Sequence, residues 1–129
     1  MRELKFRIMY KRYDNIWLKN EYSLRDLIEM DGAGFLDDDD IIEQYTGLKD
    51  KNGKEIYEGD ILRLTREVAR DKSTLYQVVW DEPITAFNTK NLDEKRSDIG
   101  YLNETAAKKD FLVIGNIHEN PELLGGENG

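Results

Sequence analysis

Cysteine is absent from the 129 residues, so neither a disulfide framework nor a thiolate metal site can form. Histidine occurs once, at His118. A nucleophilic triad would need His118 as its base and Ser23, Ser73, Ser97 or a threonine as nucleophile, and none of these stands in a nucleophile elbow. A solvated or hydrogen-bonded His118 is the simpler reading. Positive charge is also short: 19 Lys and Arg face 27 Asp and Glu, for a net charge of -8 and a pI near 4.7. Such a balance opposes non-specific binding to a phosphate backbone, which depends on cations displacing counterions. Nucleic acid is therefore a disfavoured partner. No apolar run approaches the ~20 residues of a membrane span, and Met1 to Phe6 lacks the apolar segment of a signal peptide. A soluble, cytoplasmic protein without membrane contact is the residual expectation.

What is present bounds the fold. A chain of this length is one domain on ordinary size priors, expected over 1–124, with the Gly-rich 125–129 as a disordered tail. Charged residues make up 36% and hydrophobic residues 39%, against ~25% charged in a usual soluble domain. A compact core under a heavily charged surface follows. No internal repeat and no linker divides the chain.

Turn signals and strand-like runs alternate most regularly from Gln44 to Leu64. Asn52-Gly53, between Lys51 and Lys54, is the dipeptide favoured where a tight hairpin needs positive φ at both central positions. Glu58-Gly59-Asp60 supplies a second turn, with Gly59 free to adopt a conformation a side chain would forbid. The structural turn residues are thus Asn52, Gly53, Gly59 and Asp60. Ile61, Leu62 and Leu64, interrupted only by Arg63, predict a strand near the core.

The run from Tyr45 to Leu62 resembles the YopX family of phage and prophage proteins, as do Val113 to Leu124 and the start, Arg2 to Tyr10. Spacing carries the resemblance almost from end to end, although family members tend to have an aromatic where His118 stands and differ widely over Arg66 to Asp110. The resemblance implies a β-rich fold with an SH3-like barrel element and a phage origin. It brings no established activity and no catalytic residues.

Along the rest of the chain, Leu4, Phe6, Ile8 and Tyr10 alternate with Lys5 and Arg7, the pattern of a strand with one buried face, over about Glu3 to Tyr10. Asp14-Asn15 reads as a turn from which Ile16-Trp17-Leu18 pairs back as an N-terminal hairpin. Leu24, Leu27 and Ile28 sit at helical spacing behind a Ser23/Asp26 cap signature, so Tyr22 to Met30 is read as a short helix, where the resemblance implies extended chain. Thr65 to Ser73 reads as a strand end and loop. Leu75 to Trp80 predicts an interior strand, Ile84 to Phe87 a further short strand, and Asn88 to Ser97 a long polar loop. Asn103 to Lys109 favours a brief helix with acid early and base late. Phe111 to Ile114 predicts a strand buried on both faces, ended by Asn120-Pro121. The fold class is mostly β with a minor α component: a small single domain with an N-terminal hairpin and one or two short helices.

The search for chemistry assigns no catalytic, cofactor-binding or metal-ligating residue. Asp37 to Asp40 is a run of four carboxylates, but consecutive residues cannot all converge on one ion and no Asp-x-Asp-x-Asp-Gly loop is present. A solvated acidic loop is the default. Glu55, Glu58 and Asp60 could supply a carboxylate pair, which would need one pKa raised by an environment that sequence does not show. Tyr45, Tyr57 and Trp80 are the candidate interaction surface, since aromatics of these types are enriched where interfaces are buried. The expectation is a non-enzymatic, self-associating interaction or assembly module, a homo-oligomer that meets a phage or host protein. The alternatives are a nucleic-acid-binding SH3-like barrel module and an enzyme of unrecognised type.

Overall fold

Apolar residues spaced by two at the start of the chain demand a partner strand, and they find two. In the computed structural model, which describes residues 4–12, 16–65, 75–92 and 99–124, β1 (Lys5–Arg12) pairs antiparallel with both β2 (Ile16–Ser23) and β3 (Ile41–Lys49). The hairpin expected at the N-terminus is present, and its Asp14-Asn15 turn lies outside the described residues. Between β2 and β3 runs α1 (Leu24–Gly32). Ser23 caps it: the Ser23 hydroxyl accepts from the Asp26 N–H, and the Asp26 carboxylate accepts from the Ser23 N–H. The capping residues thus decided this segment, against the extended chain implied by the family resemblance.

β3 turns into β4 (Glu55–Tyr57), completing a four-stranded sheet of order β2-β1-β3-β4. The connecting loop differs from the expected two-residue turn. Gly53 takes φ +84° but Asn52 stays at negative φ. Asp50 closes a longer loop instead: its Oδ1 accepts from the N–H groups of Asn52 and Lys54, and its carbonyl accepts from Gly53 N–H. A side chain able to take two backbone donors makes the tighter turn unnecessary.

After Gly59 (φ +89°), the second sheet begins with β5 (Asp60–Leu64). It continues with β6 (Leu75–Asp81), β7 (Ala86–Asn91), β8 (Ile99–Tyr101) and β9 (Phe111–Asn116), in the order β8-β7-β6-β5-β9. α2 (Glu104–Asp110) leads directly into β9, with the Asn103 side chain accepting from Ala106 N–H at its start. The result is a small α+β domain with two sheets and two helices among the described residues. The Thr65 to Ser73 loop and the 125–129 tail fall, beyond Thr65, outside the described residues.

Two strands differ from what their sequences suggest. Of the loop expected over Asn88 to Ser97, Asn88 to Asn91 is strand, paired on both sides from Asn88 to Lys90, with Asn88, Thr89 and Asn91 buried, and 93–97 lie outside the described residues. Their polar groups are accommodated by partners, Asn88 Nδ2 donating to Asp81 Oδ2 at 3.1 Å, so polarity did not force exposure. β9, in contrast, is an edge strand pairing only with β5, and Ile114 is exposed rather than buried on both faces. Ile61 and Leu62, the centre of β5, are fully buried. The apolar core of this half joins Ile56, Leu62, Leu64, Val78, Ala107 and Phe111.

Candidate functional site

β1 has two buried faces, not one. Ile8 is buried, yet Arg7 and Met9, of opposite parity, are buried as well. Arg7 stands directly across from Glu43 in the β1–β3 register, and its Nε donates to Glu43 Oε1 at 2.8 Å. Its Nη1 donates to Asp60 Oδ1 at 2.6 Å, and its Nη2 to the Glu58 carbonyl at 3.3 Å. A guanidinium at this depth is stable only when such a fork of acceptors meets it. Burial alone would lower the Arg7 pKa, and the charges of Asp60 and Glu43 outweigh it and raise it.

Each carboxylate has further work. Asp60 Oδ2 accepts from the Tyr57 N–H at 2.8 Å, closing the turn around Gly59. Burial pushes the Asp60 carboxyl above its ordinary range, although Arg7 and the Tyr57 N–H pull it down. Glu43 Oε2 meets His118 Nε2 at 2.9 Å, and the imidazole packs against Trp17 at a tilt of 48°, with ring centres 5.0 Å apart. Glycine at 59 is required twice over, by positive φ and because a Cβ there would stand 2.1 Å from Glu43 Oε2.

The turn that carries His118 is built by Asn116, whose Oδ1 accepts from the N–H groups of His118 and Glu119 at 3.0 and 2.8 Å. Asn116 Nδ2 donates to Glu119 Oε1 at 2.7 Å, and Lys19 on β2 donates to the same oxygen at 3.0 Å. Burial raises the Glu119 pKa, but the Asn116 bond and Lys19 outweigh it, and the carboxyl ends below its ordinary value. Gly115 leaves room for Asn120, whose Oδ1 accepts from Asn116 N–H; a Cβ at Gly115 would stand 2.3 Å from that oxygen. The three stretches Arg2 to Tyr10, Tyr45 to Leu62 and Val113 to Leu124 thus converge on one ionic hub, with Glu43 just ahead of the second.

Beside the hub opens a cavity of about 530 Å3, walled by the inner face of the first sheet and the outer side of β9. Lys19, Glu21, Lys54, Glu55, Tyr57 and Glu119 supply much of its lining. Tyr57 is buried and packs against Tyr45 at 5.5 Å, with the Arg7 guanidinium 5.0 Å above its ring. Its hydroxyl is buried beside the Glu21 carboxylate, which acts on it by charge and as a side-chain hydrogen-bond partner. Burial first, then the charges of Glu21 and Glu55, push the Tyr57 hydroxyl well above its ordinary pKa and keep it protonated. Glu58 is half-buried; burial and Glu43 push its carboxyl up.

The residues singled out from sequence are thereby placed. Gly59 and Asp60 belong to the hub, and Asn52 and Gly53 to the loop above β9. Tyr45 and Tyr57 are buried together, whereas Trp80 lies on the second sheet, 42% exposed and edge-on to Phe87 at 5.0 Å. The structure does not bring the three aromatics together. Glu55 and Asp60 face the cavity, and Asp37 to Asp39 are exposed. Among the described residues, no group of three His, Asp or Glu is placed to hold a metal ion. Sequence reasoning passed over Arg7, Glu43 and Asn116. The available signal was Met9, an apolar residue sharing the parity of Arg7 on a strand read as one-faced.

Comparison with known proteins yields one family model, described as YopX protein, which matches residues 3–125. No curated protein matches the chain. Among solved structures, the crystal structure of protein EF1440 from Enterococcus faecalis is similar at 22% identity, with 95% of this chain and 98% of that chain covered and a TM-score of 0.51. That likeness concerns the fold.

Proposed function

The chain belongs to the YopX family, and we propose that it acts as a phage-encoded, non-enzymatic interaction and assembly module that self-associates along β2. The observation that supports this reading is the contrast between two sheet edges. On β9 the free edge is blunted: the Phe111 carbonyl accepts from Lys51 N–H, Asp50 Oδ2 accepts from Val113 N–H, and Asn120 Oδ1 accepts from Asn116 N–H. On β2, outermost in its sheet and eight residues long, nearly every residue is exposed, Ile16 at 58% and Leu18 at 39%. An uncovered apolar edge is a template for another strand. Antiparallel pairing of β2 with β2 of a second copy would be a self-complementary, closed arrangement. In this reading the five-stranded sheet is the SH3-like element of the family, and the site of action is the host cytoplasm on a phage or host protein. No helix among the described residues is long and apolar enough to cross a membrane.

Size-exclusion chromatography with light scattering tests the reading. The wild type should elute at a multiple of the monomer mass, and Leu18→Lys, a change at an exposed position, should elute as a folded monomer. A strict monomer for the wild type at micromolar concentration would overturn it.

A further inference from the structure

We infer that the groove between α1 and the β1–β2 hairpin receives a basic, amphipathic segment of a partner protein, with apolar side chains seated against Phe35 and cations against the flanking carboxylates. The groove follows from how α1 ends. Gly34 stands at φ +77°, and the N–H groups of Gly34 and Phe35 donate to the carbonyls of Asp31 and Met30, the Schellman arrangement. Phe35 is thus fixed by its backbone, yet it is 72% exposed. A lone exposed apolar residue needs no explanation, but this one stands over two hollows. One, of about 620 Å3, lies between α1 and the end of β2. The other, of about 470 Å3, lies on the side of β1 and β2 that carries Ile8 and Asn20, opposite in parity to Arg7 and Lys19 of the hub. Tyr22, Met30 and Phe35 line both hollows and join them into one groove with an apolar ridge at its middle.

Charge decides what covers this ridge. The first hollow is lined by Glu21, Asp26 and Glu29 and, among the described residues, by no lysine or arginine. The second adds Asp37 and Asp40 against Lys11, whose ammonium lies over the Trp17 ring, 4.9 Å from its centre. Asp26 also caps α1 and Glu21 also bonds to Tyr57, but a carboxylate has acceptor sites for more than one donor. An apolar groove walled by negative charge repels a nucleic acid or an anionic membrane. A second copy docking through the same groove would set carboxylates against carboxylates, which is unfavourable. A segment rich in Lys or Arg, with apolar residues along one side, matches the ridge and its walls together. The groove uses the face of β2 and self-association its edge, so neither reading depends on the other.

Fluorescence anisotropy of a short labelled peptide of Lys and Leu in amphipathic helical order, titrated with the full chain, tests the inference. An all-Lys peptide of equal charge, the same amphipathic peptide with Glu in place of Lys, and phosphatidylserine vesicles serve as comparisons. The Lys/Leu peptide should bind saturably at one site per chain and more tightly than the all-Lys peptide, while the Glu/Leu peptide and the vesicles should not bind. Phe35→Ser should weaken binding by about tenfold, the loss of one apolar anchor, at unchanged melting temperature. Glu29→Lys should weaken it more at low salt than at high salt. Ile84→Ser, an exposed apolar position on the second sheet, should leave it unchanged. Equal binding by Phe35→Ser and wild type would overturn the inference, as would equal binding of the all-Lys peptide, or binding of the vesicles in place of the Lys/Leu peptide. A fall in oligomer mass caused by Phe35→Ser alone would overturn it too, by placing a second copy in the groove. Because peptide binding is counted per chain, a wild type that proves monomeric leaves this inference standing, and the two readings fail separately.

Discussion

The two sheets are held together by opposite means. In the second sheet, Leu62, Leu64, Val78 and Phe111 pack with Ile56 and Ala107 into an apolar cluster. Where the first sheet meets the start of β5, the buried residues include Arg7 and Glu43 of the first sheet and Asp60 of the second, a cation between two carboxylates. Apolar packing is graded, so a lost methylene costs in proportion to the cavity left behind. A buried ion cluster is nearly all-or-none, because removing one partner strands the charge of the others. The hub is therefore the less forgiving half, and it is also the half that joins segments far apart in the chain.

The largest effect should come from Arg7→Met, which keeps volume and removes charge. It should destabilise by about 3–5 kcal/mol, as breaking buried pairs does, read by urea unfolding. Leu62→Ala, in the apolar cluster, should cost about 2–5 kcal/mol in the same assay. A cost for Arg7→Met below that of an exposed substitution such as Glu29→Gln would dissolve the distinction between the sheets.

Next in size are the glycines. Gly53 and Gly59 share nearly the same positive φ, but a Cβ at Gly53 meets nothing within 4 Å while one at Gly59 collides with Glu43. Gly53→Ala should cost about 1 kcal/mol or slightly more, from backbone strain alone. Gly59→Ala should cost clearly more, since it also displaces the carboxylate that holds Arg7 and His118. Equal melting temperatures for the two variants would mean that Glu43 moves aside freely.

The smallest effects are opposite in sign with pH. The Glu58 carboxyl is raised in the fold, so its contribution is fully present below its ordinary value of 4.5 and is lost as pH rises through the folded value. The Glu119 carboxyl is lowered, so its contribution is present above 4.5 and is lost as pH falls through the folded value. Relative to wild type, Glu58→Gln should gain stability on going from acid to neutral pH, and Glu119→Gln should lose it. Parallel pH profiles for the two variants would contradict the assignment of their surroundings.

Local chemistry made much of the fold legible in the sequence. The Ser23/Asp26 cap signalled α1, the acid-to-base order signalled α2, and the turn residues Gly53 and Gly59 stand at positive φ. What escaped was long-range. Arg7 is separated from Glu43 and Asp60 by 36 and 53 positions, and a charged side chain in an alternating strand reads as solvent-facing until its partners are known. Asn88, Thr89 and Asn91 misled for the same reason: a polar residue looks like loop unless the sheet that receives it is visible. The exposure of Ile114 follows from strand order, which no local pattern encodes.

A double-mutant cycle between Arg7→Met and Asp60→Asn tests the all-or-none character of the hub most directly. Each single change should be strongly destabilising. The double variant should be little worse than either, with a coupling energy toward the upper end of the ~0.5–3 kcal/mol seen for contacting residues. Additive costs, with coupling near zero, would show that Arg7 and Asp60 stabilise the protein independently and that the buried charge does not act as one unit.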